Sequence, residues 1–228
     1  MGIVGATIRV QSNDELAELA VCRNVGFLIQ PQFNSEDYES FVTSVRSLKP
    51  DLVLVNSYSM IIREDVLSAS RLGGINLHAA LLPRNRGCNP TQWAIINKEF
   101  ETGVTMHEMD SGIDMGAIID QRKIPIFIYD TWLDVREREF HATNDLLESN
   151  LAKILCGTWK AVVQIEKYST SGRRRNPEDG EFRWSEKIIG IHNKIRALLP
   201  PLPPAFYLDD DGKRKELTEY LTPWELTS

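Results

Sequence analysis

Two polar side chains stand at the end of a predicted buried strand, Ile75-Asn76-Leu77-His78. Side chains alternate along a strand, so Asn76 and His78 face one side and Leu77 faces the other. Ligands of open α/β sheets bind beyond the carboxyl ends of the strands, which is where this pair is expected to lie. An amide and an imidazole in that place could polarise a carbonyl group and move a proton. The two residues alone are equally consistent with hydrogen bonds that only close a turn.

Two further segments could add to this pair. In the stretch 109–116, Gly112 and Gly116 bracket Ile113-Asp114 in a tight loop whose main-chain groups a ligand could contact. A turn that contains aspartates is more commonly just a turn. The stretch 82–87 follows His78 and is basic and kinked, which on its own is a weak signal.

The elements that position these residues are predicted from hydrophobic periodicity and from glycine and proline positions. Strands are expected at 3–8, 25–29, 52–55, 75–78, 103–109 and 117–128. Helices are expected from an Asn13 cap, from Asn34, at 64–70, from Pro90 after an Asn89 cap, at 131–156 and at 188–198. Because parallel strands need crossover helices, this order predicts an α/β fold with a doubly wound, mostly parallel sheet.

The chain changes character after residue 168. The stretch 169–180 is polar and holds Arg173-Arg174-Arg175, so we expect a linker or loop, with the arginines more often solvated than clamping a phosphate. A hairpin is predicted to turn at Asp211-Gly212. We therefore divide the chain into a catalytic core at 1–168 and a linker with a small C-terminal subdomain at 169–228.

Composition argues against several classes of protein. The net charge of −6 disfavours broad nucleic-acid binding, which usually shows a basic surface. No apolar run approaches the roughly 20 residues of a membrane span, and the N-terminus does not resemble a signal peptide. The three cysteines form no CxxC pair, which argues against disulfides and structural zinc. We expect a cytoplasmic protein with no membrane partner.

The motifs taken in order resemble the signature of the folate-dependent formyltransferases, which include glycinamide ribonucleotide transformylase, methionyl-tRNA formyltransferase and the sugar N-formyltransferases. The order is Asn76-Leu77-His78, LLP, Arg86-Gly87, Pro90 with Trp93, and TGVTMHEMDSGIDMG. The resemblance runs from about residue 3 to 157 and is dense between 76 and 116.

The resemblance implies the formyltransferase type of sheet, 10-formyltetrahydrofolate as formyl donor, tetrahydrofolate as product, and no metal. It places the catalytic set on Asn76, His78 and Asp114. Asn76 and a protonated His78 would donate to the oxyanion, and His78 would carry the amine proton towards the folate nitrogen. Asp114 would hold the imidazole and raise its pKa. His107 is expected to be a structural hydrogen-bonding residue.

The same resemblance implies a pterin pocket between the stretches 58–62 and 110–114. The residues assigned to folate are Tyr58, Ser59, Ile61, Ile62, Asp110, Ser111 and Ile113. Main-chain groups would read the pterin, and apolar side chains would form the walls. One of Ile61 and Ile62 is expected to pack in the core instead.

The acceptor follows from the tail. We expect the chain to begin near the family's second strand, without the phosphate-binding loop of the purine enzyme, and the tail is not the long basic domain of a tRNA enzyme. Phe182-Arg183-Trp184, the stretch 191–197 and Ala205-Phe206-Tyr207 resemble sugar N-formyltransferases. This implies a homodimer and a nucleotide-linked amino sugar as substrate, dTDP-4-amino-4,6-dideoxyglucose or its galacto isomer.

The substrate-binding candidates in the tail are Trp184, Arg196 and Tyr207, each of which could equally pack its own hairpin. Two alternatives stay open. One is a folate-binding or regulatory relative without efficient turnover, and the other is another formyltransferase, or a formyl-folate hydrolase, of the same family.

Overall fold

The computed structural model describes residues 1–6 and 10–226. Its first half contains β1 (Gly2–Ala6), α1 (Val10–Cys22), β2 (Gly26–Gln30), α2 (Tyr38–Ser47), β3 (Val53–Asn56), α3 (Glu64–Leu67), β4 (Gly74–His78), β5 (Arg86–Gly87) and α4 (Pro90–Ile96). Its second half contains β6 (Glu101–Glu108), β7 (Ile118–Pro125), α5 (Trp132–Leu155), β8 (Ser171–Gly172), α6 (Ile188–Ala197), β9 (Ala205–Leu208) and β10 (Arg214–Leu217). Short 3₁₀ turns lie at Glu166–Tyr168 and Pro177–Gly180.

A four-stranded sheet in the order β3-β4-β6-β7 carries the residues of interest. Strands β3 and β4 are parallel, whereas β6 runs antiparallel to β4 and to β7. Parallel pairs are also formed by β1 with β2 and by β5 with β8, and β9 and β10 form an antiparallel hairpin. The α/β class with a C-terminal hairpin is confirmed, and the hairpin turns at Gly212, whose φ is +74°.

Two predictions for the first quarter of the chain were wrong in detail. Asn13 does not cap α1, because the helix begins at Val10 and the Asn13 amide donates to the Ala6 carbonyl at 2.9 Å. Helix α2 begins at Tyr38 rather than Asn34, since residues 32–38 form hydrogen-bonded turns. The first strand was expected at 3–8; β1 covers 2–6, and residues 7 and 8 lie outside the described residues.

Helix α5 covers one face of the sheet and forms a core with it. Ile75 and Leu77 of β4 pack with Val104 and Met106 of β6 and with Leu146 of α5. Thr131 caps α5 through a reciprocal hydrogen bond with Asp134, which fixes where the helix starts. The rigid packing under β4 leaves Asn76 and His78 on the opposite face.

A second core joins the tail to the rest of the molecule. Phe182, Ile191 and Ile195 pack in one cluster with Ile95 of α4 and Trp132 of α5. The stretch 169–180, expected to be a linker, contains β8, which pairs with β5. The boundary at residue 168 remains a prediction, but the hydrophobic core crosses it. Among the described residues, no helix is both long and apolar enough to span a membrane.

Candidate active site

Asn76, His107 and Asp114 meet above the middle of β4. The antiparallel register places Asn76 opposite His107, and a bulge in β6 follows Met106. Asn76 Nδ2 lies 3.2 Å from Asp114 Oδ1 and 3.1 Å from His107 Nε2. His107 Nδ1 donates to the Glu108 carbonyl at 2.7 Å, so its Nε2 lone pair can accept the second amide hydrogen of Asn76. Both hydrogens of the amide therefore have acceptors within the protein.

His78 is the last residue of β4 and is buried on the same face. Its Nε2 lies 2.8 Å from the Asn85 carbonyl, which can only accept, so Nε2 carries a proton. Its Nδ1 lies 3.5 Å from Asp114 Oδ2. The alternation of side chains thus puts Asn76 and His78 on one face, as the strand pattern predicted, and both lie close to Asp114.

The protonation state differs from the sequence expectation. Burial lowers the pKa of His78 below its ordinary value, and this effect outweighs the Asp114 carboxylate, which acts in the opposite direction. Burial would also raise the pKa of Asp114, but contacts with His107, His78 and the Gly87 amide together hold it below its ordinary value. Asp114 thus acts on the His78 pKa in the expected direction, but burial has the larger effect, so at neutral pH the free protein holds a neutral imidazole beside a carboxylate.

Asp114 is held in an unusual backbone conformation. Its φ is +54°, in the left-handed region that non-glycine residues rarely adopt. The Gly87 amide donates to its Oδ2 at 2.8 Å, and Gln164 Nε2 donates to its carbonyl at 2.8 Å. Gly116 lets the loop lie against β6, because a Cβ there would stand 1.8 Å from the Glu108 carbonyl oxygen. These contacts determine where the carboxylate points.

The support for this loop includes residues that the sequence analysis did not select. Gln164 also donates to the Gly116 carbonyl, and its Oε1 accepts from Arg86 Nε and Nη2 at 3.1 and 2.9 Å. Arg86 in turn pairs with Glu166 through two hydrogen bonds of 3.1 and 3.0 Å. Arg86 was noted only as part of the motif, and no local signal marks Gln164.

The first stretch assigned to folate follows β3. The Tyr58 hydroxyl donates to Gln30 Oε1 at 2.9 Å, and burial raises the Tyr58 pKa to about 12. Gln30 Nε2 donates to the Ile61 carbonyl at 3.0 Å, so Gln30 ties both residues to β2. The Ile61 side chain is 69% exposed, whereas Ile62 packs against the core of α2 and α3, which leaves Ile61 free for a ligand.

The second stretch assigned to folate is an exposed turn. Asp110 Oδ1 accepts from the Gly112 amide at 2.8 Å, which closes the turn. Ser111 is exposed, and the Ile113 side chain is exposed beside the Asp114 backbone. An exposed isoleucine in each stretch fits the predicted apolar wall, but the contact of either stretch with folate remains a prediction.

The tail residues fall into two groups. Trp184 and Tyr207 pack edge to face with centroids 5.3 Å apart, both against Phe182, and Trp184 is 49% exposed. Arg196 is 4% exposed and donates to Asn193 Oδ1 and to the carbonyls of Phe127 and Asp130. The aromatic pair presents a surface that could contact a ligand, whereas the Arg196 guanidinium is occupied within the protein.

The remaining histidines do not extend this site. His141 is exposed on α5, and His192 is buried near the Tyr220 hydroxyl. Within residues 1–6 and 10–226, no group of three or more histidines, cysteines or acidic residues is arranged to hold a metal ion.

The sequence and the fold match a known family. A family model described as formyl transferase matches residues 11–151, which is more than half of the chain. This protein belongs to the formyl transferase family. The bifunctional polymyxin resistance protein ArnA of Wigglesworthia glossinidia brevipalpis is 37% identical over 171 residues, covering 75% of this chain and 26% of that protein. The chain thus spans about a quarter of the length of this curated relative.

Solved structures share the fold. A sugar N-formyltransferase from a Shewanella species matches with a TM-score of 0.73 at 23% identity, over 97% of this chain and 98% of that one. The N-formyltransferase from Helicobacter canadensis, in complex with folinic acid and dTDP-3-aminofucose, matches with a TM-score of 0.62 at 21% identity. That match covers 86% of this chain and 79% of the other. At these identities the likeness establishes the fold.

Proposed function

We propose that this protein transfers the formyl group of 10-formyltetrahydrofolate to the amino group of a nucleotide-linked amino sugar. The observation that carries the proposal is the convergence of Asn76 and His78 on one carboxylate, Asp114, at distances of 3.2 and 3.5 Å. An amide, a neutral imidazole and a buried carboxylate in contact are suited to transferring an acyl group between nitrogens.

The reaction needs one proton to move. The amine lone pair attacks the formyl carbon, and the carbonyl oxygen becomes an alkoxide in a tetrahedral intermediate. Collapse of this intermediate breaks the bond to the folate nitrogen, and the proton lost by the amine ends on that nitrogen. A neutral His78 can take up this proton, because Nδ1 has a free lone pair and the resulting imidazolium gains Asp114 as a partner. The lowered pKa of His78 then favours release of the proton to the folate nitrogen.

Asn76 is the proposed donor to the developing oxyanion. Its amide hydrogens point to Asp114 and His107 in the free protein, so donation to the alkoxide requires one of these bonds to open or to be shared. Proton uptake by the His78–Asp114 pair reduces the charge that Asp114 presents to Asn76. The proton transfer and the donation to the oxyanion are in this way coupled through one carboxylate.

The sugar acceptor is supported by the tail and by the structural neighbours. Trp184 and Tyr207 form a partly exposed aromatic pair suited to packing against a nucleobase. The Helicobacter protein of the same fold binds folinic acid and dTDP-3-aminofucose. We propose a dTDP-linked 4-amino-4,6-dideoxyhexose as the substrate, and a homodimer that forms through the β9–β10 hairpin.

The test is a transfer assay with 10-formyltetrahydrofolate and a panel of dTDP- and UDP-linked amino sugars, with products read by mass spectrometry. One sugar should gain the mass of a formyl group with the wild-type protein. His78→Ala should abolish the gain, and His141→Ala, which changes an exposed histidine, should leave it unchanged. If no sugar in the panel is formylated, the acceptor assignment is wrong.

The same assay separates the two alternatives. Release of formate from the donor without any acceptor would indicate hydrolysis. Binding of 5-formyltetrahydrofolate without transfer or hydrolysis would indicate a folate-binding relative. Light scattering of the purified protein at several concentrations tests the homodimer, which a monomeric mass at all concentrations would contradict.

A further inference from the structure

The run Arg173-Arg174-Arg175 follows β8 and lies beside the candidate active site. Strand β8 pairs with β5, and the Gly172 carbonyl accepts from the Cys88 amide at 3.0 Å. Cys88 directly follows Gly87, whose amide holds Asp114. Main-chain hydrogen bonds therefore hold Gly172, the residue before the run, against the strand whose Gly87 amide contacts Asp114.

The three arginines have different surroundings. Arg173 pairs with both oxygens of Asp179, stacks over the Trp93 ring at 5.8 Å, and accepts from the Trp93 indole through its carbonyl. Arg174 Nη2 lies 3.4 Å from the Ser59 carbonyl, in the first stretch assigned to folate. The run therefore connects helix α4 with the predicted folate pocket.

Arg175 is the unusual member. Its main-chain amide donates to Asn89 Oδ1 at 3.1 Å, which anchors the residue to the start of α4. Its Nε and Nη2 atoms are buried, and among the residues that the structure describes neither has a hydrogen-bond partner. Burial lowers the pKa of the guanidinium, and the nearby Asp179 is already paired with Arg173. A buried guanidinium edge without a partner is costly unless an anion completes it.

We infer that Arg175 forms an anion-binding subsite for one of the two substrates of the proposed reaction. The Nε and Nη2 atoms present two parallel N–H groups, which match two oxygens of a phosphate or a carboxylate. Two substrates could supply such a group, as the diphosphate of the nucleotide sugar or the glutamyl carboxylates of the folate. The inference rests on the proposed function only for the identity of these ligands.

The test measures binding by calorimetry, without turnover, to wild-type protein, Arg175→Gln and Arg71→Gln. Arg71 is a matched control, since it is an exposed arginine paired with a single exposed carboxylate, Asp51. The probes are dTDP against thymidine, and 5-formyltetrahydrofolate against the same pteridine without glutamate. Arg175→Gln should weaken one anionic probe by about 10- to 100-fold, the range of a charged hydrogen bond, and leave its uncharged counterpart unaffected.

The outcomes show whether Arg175 binds an anion and which substrate supplies it. Weakened dTDP binding identifies the diphosphate as the ligand, and weakened binding of the glutamylated folate identifies the carboxylate. Wild-type affinity for both anionic probes in Arg175→Gln overturns the inference. A fall in the melting temperature of the ligand-free variant by more than about 5 °C also overturns it, since that would reveal a partner within the protein. Wild-type protein that binds the probes but transfers no formyl group contradicts the proposed function alone.

Discussion

Glu139 carries a carboxyl group that folding removes from water. It lies on α5 with 6% of its surface exposed, and the Thr91 hydroxyl of α4 donates to its Oε1 at 2.8 Å. Burial raises the pKa of Glu139 to about 8, although the Thr91 hydrogen bond and the charge of Arg136 act in the opposite direction. The folded protein therefore keeps this carboxyl protonated at neutral pH.

The free energy of unfolding should fall as the pH rises, because of this carboxyl group. An unfolded glutamate releases its proton near its ordinary pKa of 4.5, whereas the folded one holds it until about pH 8. Between these values the unfolded state binds fewer protons, so the free energy of unfolding decreases by about 1.4 kcal/mol per pH unit. At pH 7 the cost of keeping Glu139 protonated is on the order of 3 kcal/mol.

The substitution Glu139→Gln should remove this dependence, because glutamine keeps the shape and can still accept from Thr91. Urea unfolding at pH 5, 6, 7 and 8 should show the variant more stable than wild type by an amount that grows with pH, reaching about 3 kcal/mol at pH 7. Glu137→Gln, an exposed change two residues away, should follow wild type within about 0.5 kcal/mol. A difference between Glu139→Gln and wild type that is constant across this range would refute the reasoning.

Three further predictions concern the site and the core. Asp114→Asn should lower kcat/KM by about 10²- to 10⁴-fold. It should also move the acid limb of the pH profile, expected below pH 6.5, to lower pH, because the carboxylate that raises the His78 pKa is lost. An acid limb that moves to higher pH would contradict this assignment. Gly87→Ala should lose about 1 to 3 kcal/mol of stability, since the φ of Gly87 is +90° and a Cβ would stand 2.6 Å from the Gly172 carbonyl oxygen. Gly26→Ala, where the Cβ meets open space, is the control. Equal melting temperatures for the two variants would contradict this prediction. Ile195→Ala should lower the free energy of unfolding by about 2 to 5 kcal/mol in a single transition, because this fully buried side chain belongs to the core that crosses residue 168. Val163→Ala, at an exposed position, should change the free energy of unfolding little. Two separate transitions would show that the tail unfolds independently.

The sequence by itself predicted those parts of the candidate site that depend on local sequence pattern. Strand alternation predicted that Asn76 and His78 share a face, and the glycines around Ile113-Asp114 predicted a tight loop. The order of these motifs identified the family, and helical periodicity located most of the helices. These features depend on neighbouring residues and on backbone sterics, which a single sequence shows directly.

The tertiary structure decided which distant groups join them. The register of β4 against β6 brings His107 to Asn76, and Gln164 reaches the Asp114 carbonyl from 50 residues further along the chain. The guanidinium of Arg196, a substrate-binding candidate, donates to main-chain carbonyls of residues 127 and 130.

The protonation states of the site residues also depend on the tertiary structure. Asp114 was expected to raise the pKa of His78 and acts in that direction, but the pKa depends first on how completely the imidazole is removed from water. Burial is the sum of contacts made by segments that are far apart in sequence. The pairing of β8 with β5 is likewise a contact between distant segments. Only the folded arrangement of the chain specifies those contacts, and for that reason the sequence named the proposed catalytic residues without determining their charge.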